Sequence, residues 1–324
     1  MTTLRAKLSS QLTAVLSSIS AEVENYPRVA GGHGSDDSSW NRMAEATLRN
    51  PRVQAAIQSE GYTLLSEGSA RLKPTVGKAI SNYGREEAVA LKLLDHGIEL
   101  QIIRRLHATP SEANHTIRLL DIIQVIVPPT NILRTVIVMP WQMTLAQWLG
   151  EKSFRNEVES LRIQFLEGVA FLHKHGVAHL DLKPSNLLVN GKRGSLSPRL
   201  SIIDFGLSVF VESEKTEVTG YCGTPSWVAP EVGTQHGPVM KYSAILADRW
   251  SCGQVLLYFA DFLPNGDNSV LGPTSAGLLD SNPIKRPPLS NVLQILRGAS
   301  VGKRSIEGDD ASEGQKRPRL SMTW

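Results

Sequence analysis

The sequence predicts an α+β fold, and three observations carry that expectation. Residues 61 to 297 alternate strand-like and helix-like patterns without an internal repeat. The run "LRIQFLEGVAFLHKHG", Leu161 to Gly176, has the apolar period of a helix and closes on His and Gly, a C-terminal stop signal. Soon after it, "NLLVN" and "LSIIDFG", residues 186 to 190 and 200 to 206, are short β-prone runs separated by the turn-forming "GKRGSLSPR", which predicts a hairpin.

The flanks of this body differ from it. Residues 4 to 24 place Leu4, Leu8, Leu12, Val15, Ile19 and Val23 three or four apart, an apolar stripe on one helix face that needs a partner surface. That surface is expected to be the chain's own domain, with a coiled-coil contact as the alternative. The Ser-rich composition around Arg5 and Lys7 also bears a faint likeness to a mitochondrial transit peptide. "GGHGSDDSSW", residues 31 to 40, reads as a connector, and the tail from Gly298 has too few large apolar residues for a core. The expected division is an N-terminal extension and linker over 1–60, a body over 61–297 and a basic tail over 298–324.

Composition narrows the function classes. With 324 residues, 41% of them hydrophobic, the chain can bury one large or two modest cores. A net charge of +3 is too small for a nucleic-acid or membrane surface spread over the whole molecule. Two cysteines, Cys222 and Cys252, without metal-ligand spacing, argue against a disulfide framework or a zinc site. No apolar run reaches the roughly 18 residues of a membrane span, and an intracellular setting is expected.

The chemistry concentrates in "VAHLDLKPSNLLVN", residues 177 to 190. The predicted hairpin folds Asp204 back toward Asn186, offering two oxygen donors to one cation. Magnesium bound to phosphates takes oxygen ligands and only one or two from the protein. Asp181 is then placed to accept a hydroxyl proton, and Lys183 to neutralise charge on a moving phosphoryl group.

This pattern resembles the catalytic loop and DFG motif of the protein-kinase superfamily. "GTPSWVAPE", Gly223 to Glu231, resembles the end of a kinase activation segment, which small-molecule kinases lack. "DRWSCGQVL", from Asp248, resembles the helix whose aspartate anchors the catalytic loop, and "NPIKRPPL" supplies Arg286, which the resemblance pairs with Glu231. The resemblance implies a small, mainly β N-lobe and hinge over 61–141 and a larger, mainly α C-lobe over 142–297. It also implies His179 and Phe205, beside Gly206, as structural spine members, with Thr224 joining Lys183 to Asp181 as in serine/threonine kinases.

The N-lobe carries a looser likeness. "AVALK", Ala88 to Lys92, resembles the strand whose lysine holds the α and β phosphates, and Glu99 in "IELQIIRRL" is its expected partner, seven residues on. "NHTIRLLD", Asn114 to Asp121, and "TVIVMPW", Thr135 to Trp141, resemble the fourth and fifth strands and the hinge, with Met139 near the gatekeeper and Trp141 beside the nucleotide. This compact version, opened by "GYTLL", is similar to the fungal-type protein kinases. Two departures stand out. No GxGxxG precedes Lys92, and Leu180 stands where the family has an arginine that grips a phosphate on the activation segment, here on Thr216 or Thr219.

The expected activity is ATP- and Mg²⁺-dependent phosphorylation of Ser or Thr on a protein substrate. The alternative is a pseudokinase binding module with a degenerate phosphate cover. Lys303-Arg304 and Lys316-Arg317-Pro318-Arg319, separated by eleven residues, resemble a bipartite nuclear import signal, which implies an import receptor as partner and a nuclear location.

Overall fold

The computed structural model describes residues 38–65, 74–83, 87–95, 97–128, 131–150, 157–191, 198–262 and 268–298. They form the expected two-lobed α+β architecture. Strands β1 (Tyr62–Leu64), β2 (Val76–Ser81), β3 (Glu87–Leu93), β4 (Asp121–Val127) and β5 (Ile132–Pro140) build an antiparallel sheet in the order β1-β2-β3-β5-β4.

Strand β3 sits at the centre of the N-lobe, and its last five residues are all buried. Successive strand side chains point to opposite faces, so burial without alternation means that both faces are covered. Val89, Leu91 and Leu93 share one core with Ala44 and Leu48 of α1 (Ser38–Arg49) and Val53 and Ile57 of α2 (Pro51–Ser59). Ala90 belongs instead to the core of the second lobe, and Lys92, two residues on, faces the same way.

Helices α1 and α2, upstream of the boundary expected at residue 61, supply four of the fourteen buried residues of that first core. The connector expected over 31–40 also gives way to helix from Ser38. Asn50 caps α2 by accepting from the Arg52 amide at 2.9 Å, with Pro51 in the first helical turn where a missing N–H costs nothing. Gly61 then turns the chain into β1 at φ +84°. A Cβ there would lie 2.4 Å from the ring of Tyr83, whose hydroxyl donates to the Glu60 carbonyl at 2.9 Å. Gly61→Ala is expected to cost about 2 kcal/mol and to lower the melting temperature by roughly 4–8 °C, as calorimetry would measure.

Helix α3 (Ile98–His107) follows β3 after a four-residue connection. The fourth strand begins only at Asp121, the last residue of the expected "NHTIRLLD". Residues before it are drawn toward the C-lobe instead: Ile202 donates to the His115 carbonyl at 2.6 Å, and Ile117 to the Ile202 carbonyl at 3.0 Å. Those backbone groups are spent on a tether between lobes, so the sheet takes the next β-prone run, "DIIQVIV".

The C-lobe holds α4 (Leu145–Gly150), α5 (Val158–Lys174), α6 (Ala244–Ala260), α7 (Asn268–Leu278) and α8 over 289–298. Helix α6 is buried on nearly every side and runs through the lobe centre beside Phe165 and Leu278. Between α6 and Arg286 the described residues form α7 and a short 3₁₀ turn, Pro283–Lys285. Strands β6 (Met143–Thr144), β8 (Leu187–Asn190) and β9 (Arg199–Ile202) form a small sheet, and the β8–β9 pair is the predicted hairpin.

Among the described residues no helix is long and apolar enough to cross a membrane. The expected helix over 4–24, the "EGSARL" stretch and both basic clusters of the tail lie outside the described residues.

Candidate active site

The catalytic loop leaves β7 (Val177–Ala178) and is fixed from below by α6. Asp248, fully buried, accepts the amides of His179 at 2.7 Å and Leu180 at 2.8 Å, and contacts His173 Nε2 at 2.9 Å. Leu180 is thereby held at φ +63°, a left-handed conformation that a branched-chain residue avoids on its own. His179 has both ring nitrogens committed, Nδ1 accepting from the Asp181 amide and Nε2 against the Ile203 carbonyl. Its ring lies 5.1 Å from that of Phe205, and neither residue is exposed.

Around Asp181 three polar side chains converge. Its Oδ1 accepts from Thr224 Oγ1 at 2.6 Å, and its Oδ2 faces Asn186 Nδ2 at 2.9 Å and Lys183 Nζ at 2.8 Å. Lys183 also donates to Thr224 Oγ1, which closes the triangle. Gly223 permits this approach: at φ +111°, a Cβ would meet the Leu180 carbonyl oxygen at 2.6 Å and Val228 at 2.5 Å.

A second cluster faces it from the N-lobe. Lys92 Nζ donates to Glu99 Oε1 and Oε2 at 2.6 and 2.7 Å and to Asp204 Oδ1 at 2.7 Å. The seven-residue spacing suffices because the connection leads straight into the first turn of α3, where Glu99 sits. Burial alone would lower the Lys92 pKa, but the two carboxylates outweigh it and hold the ammonium charged, above its ordinary range. The Phe205 amide donates to Glu99 Oε1 at 3.3 Å, and Gly206 adjoins the same carboxylates.

The donor set fits magnesium. Asp204 and Asn186 offer oxygen, and the described residues contain no group of three or more His, Cys, Asp or Glu side chains of the kind that cages other metals. Asn186 donates its amide nitrogen to the Asp181 carbonyl and carboxylate, and an amide oxygen is an atom type that such a cation takes.

Sequence reading placed Met139 and Trp141 beside the nucleotide but assigned no role to Val76, Ala90 or Leu188. Directly opposed residues of an antiparallel pair share a face; Val76 opposes Lys92, and Met139 opposes Ala90. Val76, Ala90, Met139 and, from β8, Leu188 thus belong to one apolar group at the junction of the lobes, suited to the flat face of a nucleobase. Trp141, partly buried, follows β5 with the Lys78 ammonium 4.8 Å from its ring.

The activation segment packs below. Strand β10 (Val209–Phe210) pairs β7, and β11 (Glu217–Thr219) pairs β12 (Lys241–Ser243). Arg286, 1% exposed, grips Glu231 with two bonds of 2.6 and 2.8 Å and also donates to the carbonyls of Leu246 and Asp280. Leu180, in place of the family's arginine, joins an apolar cluster with Val211 and Ala229. Burial first, then Asp181 and Asp248, push the Cys222 thiol up to about 12, so it stays protonated and unreactive at neutral pH; Cys252 is buried and likewise free. Two contacts of Arg249 and His173 were missed. The signal for the first was an arginine inside a helix otherwise buried, since such a charge needs a partner.

A model of the protein kinase domain matches residues 76–265, more than half of the chain. The chain belongs to the protein kinase domain family. It is 38% identical over 126 residues to "CBL-interacting protein kinase 28" of Oryza sativa subsp. japonica, which covers 38% of this chain and 26% of that protein. Over 102 residues it is 43% identical to "CBL-interacting serine/threonine-protein kinase 8" of Arabidopsis thaliana, covering 31% and 21%. A third relative, "CBL-interacting serine/threonine-protein kinase 13" of Arabidopsis thaliana, shows 42% identity over 111 residues, covering 33% and 20%. The chain thus spans roughly a fifth to a quarter of the length of these relatives. The narrower likeness to fungal-type kinases finds no support in these matches.

Proposed function

We propose that this chain transfers the γ-phosphoryl group of ATP to serine or threonine of a protein substrate. The triangle of Asp181, Lys183 and Thr224 carries the proposal, since it points a carboxylate and an ammonium at one spot beside the Lys92–Asp204 cluster. An incoming hydroxyl gives its proton to Asp181 as its oxygen bonds to phosphorus, the β–γ bridge breaks and ADP leaves. Lys183 offsets negative charge on the transferred group. Lys92, oriented by Glu99, holds the phosphates, and Val76, Ala90, Met139 and Leu188 enclose the base. Magnesium, held by Asp204 and Asn186, would supply further neutralisation of phosphate charge.

Serine/threonine preference is supported by Thr224 in contact with both Lys183 and Asp181, and by the names of the relatives. The fungal-type reading rests on the short Lys92–Glu99 spacing and the "GYTLL" opening alone.

The test is incubation of purified protein with γ-labelled ATP, Mg²⁺ and a generic protein substrate, alongside Asp204→Ala. Label is expected in the substrate with the native protein and at least about 100-fold less with the variant. A native protein whose melting temperature rises with ATP but which transfers no label would replace this proposal with the pseudokinase alternative.

A further inference from the structure

Leu180 removes the guanidinium that the catalytic loop would otherwise offer the activation segment, yet the segment is laid down in an ordered path. Arg249, one residue beyond the anchoring Asp248 and 6% exposed, reaches out of α6 and forms an ion pair with Glu214. Its other terminal nitrogen donates to the Arg286 carbonyl at 3.1 Å, next to the grip on Glu231. The Glu214 backbone is held as well. Ser243, which caps α6 by accepting from the Leu246 amide, donates its hydroxyl to the Glu214 carbonyl at 2.6 Å.

Thr216 is engaged in the same turn. Its hydroxyl accepts the amides of Glu212 and Ser213, both at 3.1 Å, so a phosphate there would break the turn rather than stabilise it. Immediately beyond, Glu217–Thr219 pairs with Lys241–Ser243, and the chain continues to Thr224.

We infer that Glu214 serves as a built-in carboxylate in place of an activating phosphate, with Arg249 as its receptor, so that the activation segment is positioned without modification. The consequence for turnover rests on the kinase activity proposed above. The order of the segment does not. Glu214 and Arg249 are positioning residues: they touch neither hydroxyl nor phosphate, and act by holding the platform that ends in Thr224. Because Arg249 is buried, the informative substitutions fall on Glu214, whose side chain is 49% exposed and can be changed without opening the core.

The experiment compares native protein, phosphatase-treated protein verified phosphate-free by mass spectrometry, Glu214→Lys, and the conservative Glu214→Asp, which keeps the carboxylate. Two quantities are read: amide hydrogen exchange over 212–220, and KM for protein substrate and for ATP separately. Glu214→Lys is expected to speed exchange in that segment about tenfold and to raise protein-substrate KM by a similar factor, with KM for ATP unchanged. Phosphatase treatment is expected to alter neither, and Glu214→Asp to retain most of the protection. Unchanged exchange in Glu214→Lys, or phosphatase treatment that loosens the segment as much as the substitution does, would overturn the inference. If the native protein transfers no phosphate, the proposed activity falls while the exchange data still decide the role of the pair.

Discussion

Asp181→Asn is expected to lower phosphoryl transfer by about 10²–10⁴-fold, or some 3–5 kcal/mol of barrier. Asparagine keeps the shape of the side chain and an oxygen to meet Thr224 Oγ1, but it cannot take up a proton. It also turns the contact with Lys183, 2.8 Å from Oδ2, from an ion pair into at best a weak dipole contact. The apolar group of Val76, Ala90, Met139 and Leu188, proposed above to enclose the base, and the Lys92 cluster do not touch this position. The rise in melting temperature on adding ATP should therefore match that of the native protein, while labelled phosphate in the substrate falls by the stated factor. Equal turnover would remove Asp181 from the role of base.

Asp248→Ala is expected to be the most damaging single change to stability, at about 3–5 kcal/mol. The carboxylate is fully buried and accepts two backbone amides, those of His179 and Leu180, which would have no water to turn to. It also balances the positive φ of Leu180, a conformation that costs roughly 1–2 kcal/mol without support. A domain stable by about 5–15 kcal/mol loses a large share of its margin to such a change. The melting temperature should drop by roughly 10 °C, and the loop carrying Asp181 and Lys183 should lose protection in hydrogen exchange first. A drop of a degree or two would show that the loop is held by its other contacts.

The catalytic half of the molecule was legible because its chemistry demands polar residues at fixed spacing between apolar runs. Asp181, Lys183, Asn186 and Asp204 stand close together in sequence, on a hairpin that turn formers announce, and the structure brings them together with Thr224. The anchors were legible for a different reason. Asp248 and Arg286 were read from the likeness of "DRWSCGQVL" and "NPIKRPPL" to kinase motifs, and their partners are the loop amides and Glu231.

Other features depended on competition between distant segments, which local pattern does not encode. "NHTIRLLD" and "DIIQVIV" are both β-prone, and only the hydrogen bonds of His115 and Ile117 to Ile202 decide that the second becomes β4. The pairing of Glu214 with Arg249 crosses 35 residues and joins a surface loop to a buried helix, so neither residue announces the other. Helices α1 and α2 were passed over because a Gly- and Ser-rich stretch precedes them, although Ala44 with Leu48, and Val53 with Ile57, each hold the four-residue spacing of a buried helix face.

Those two helices bear on where a free-standing protein can be cut. Similarity to the kinase family begins at residue 76, but trimming there would remove β1 along with the α1–α2 lid and leave Val89, Leu91, Leu93, Val125 and Val136 wet on a bare sheet. An uncovered apolar sheet invites intermolecular stacking and precipitation. The smallest soluble fragment is thus set by the sheet's need for a roof, and it starts some forty residues upstream of the point at which homology fades.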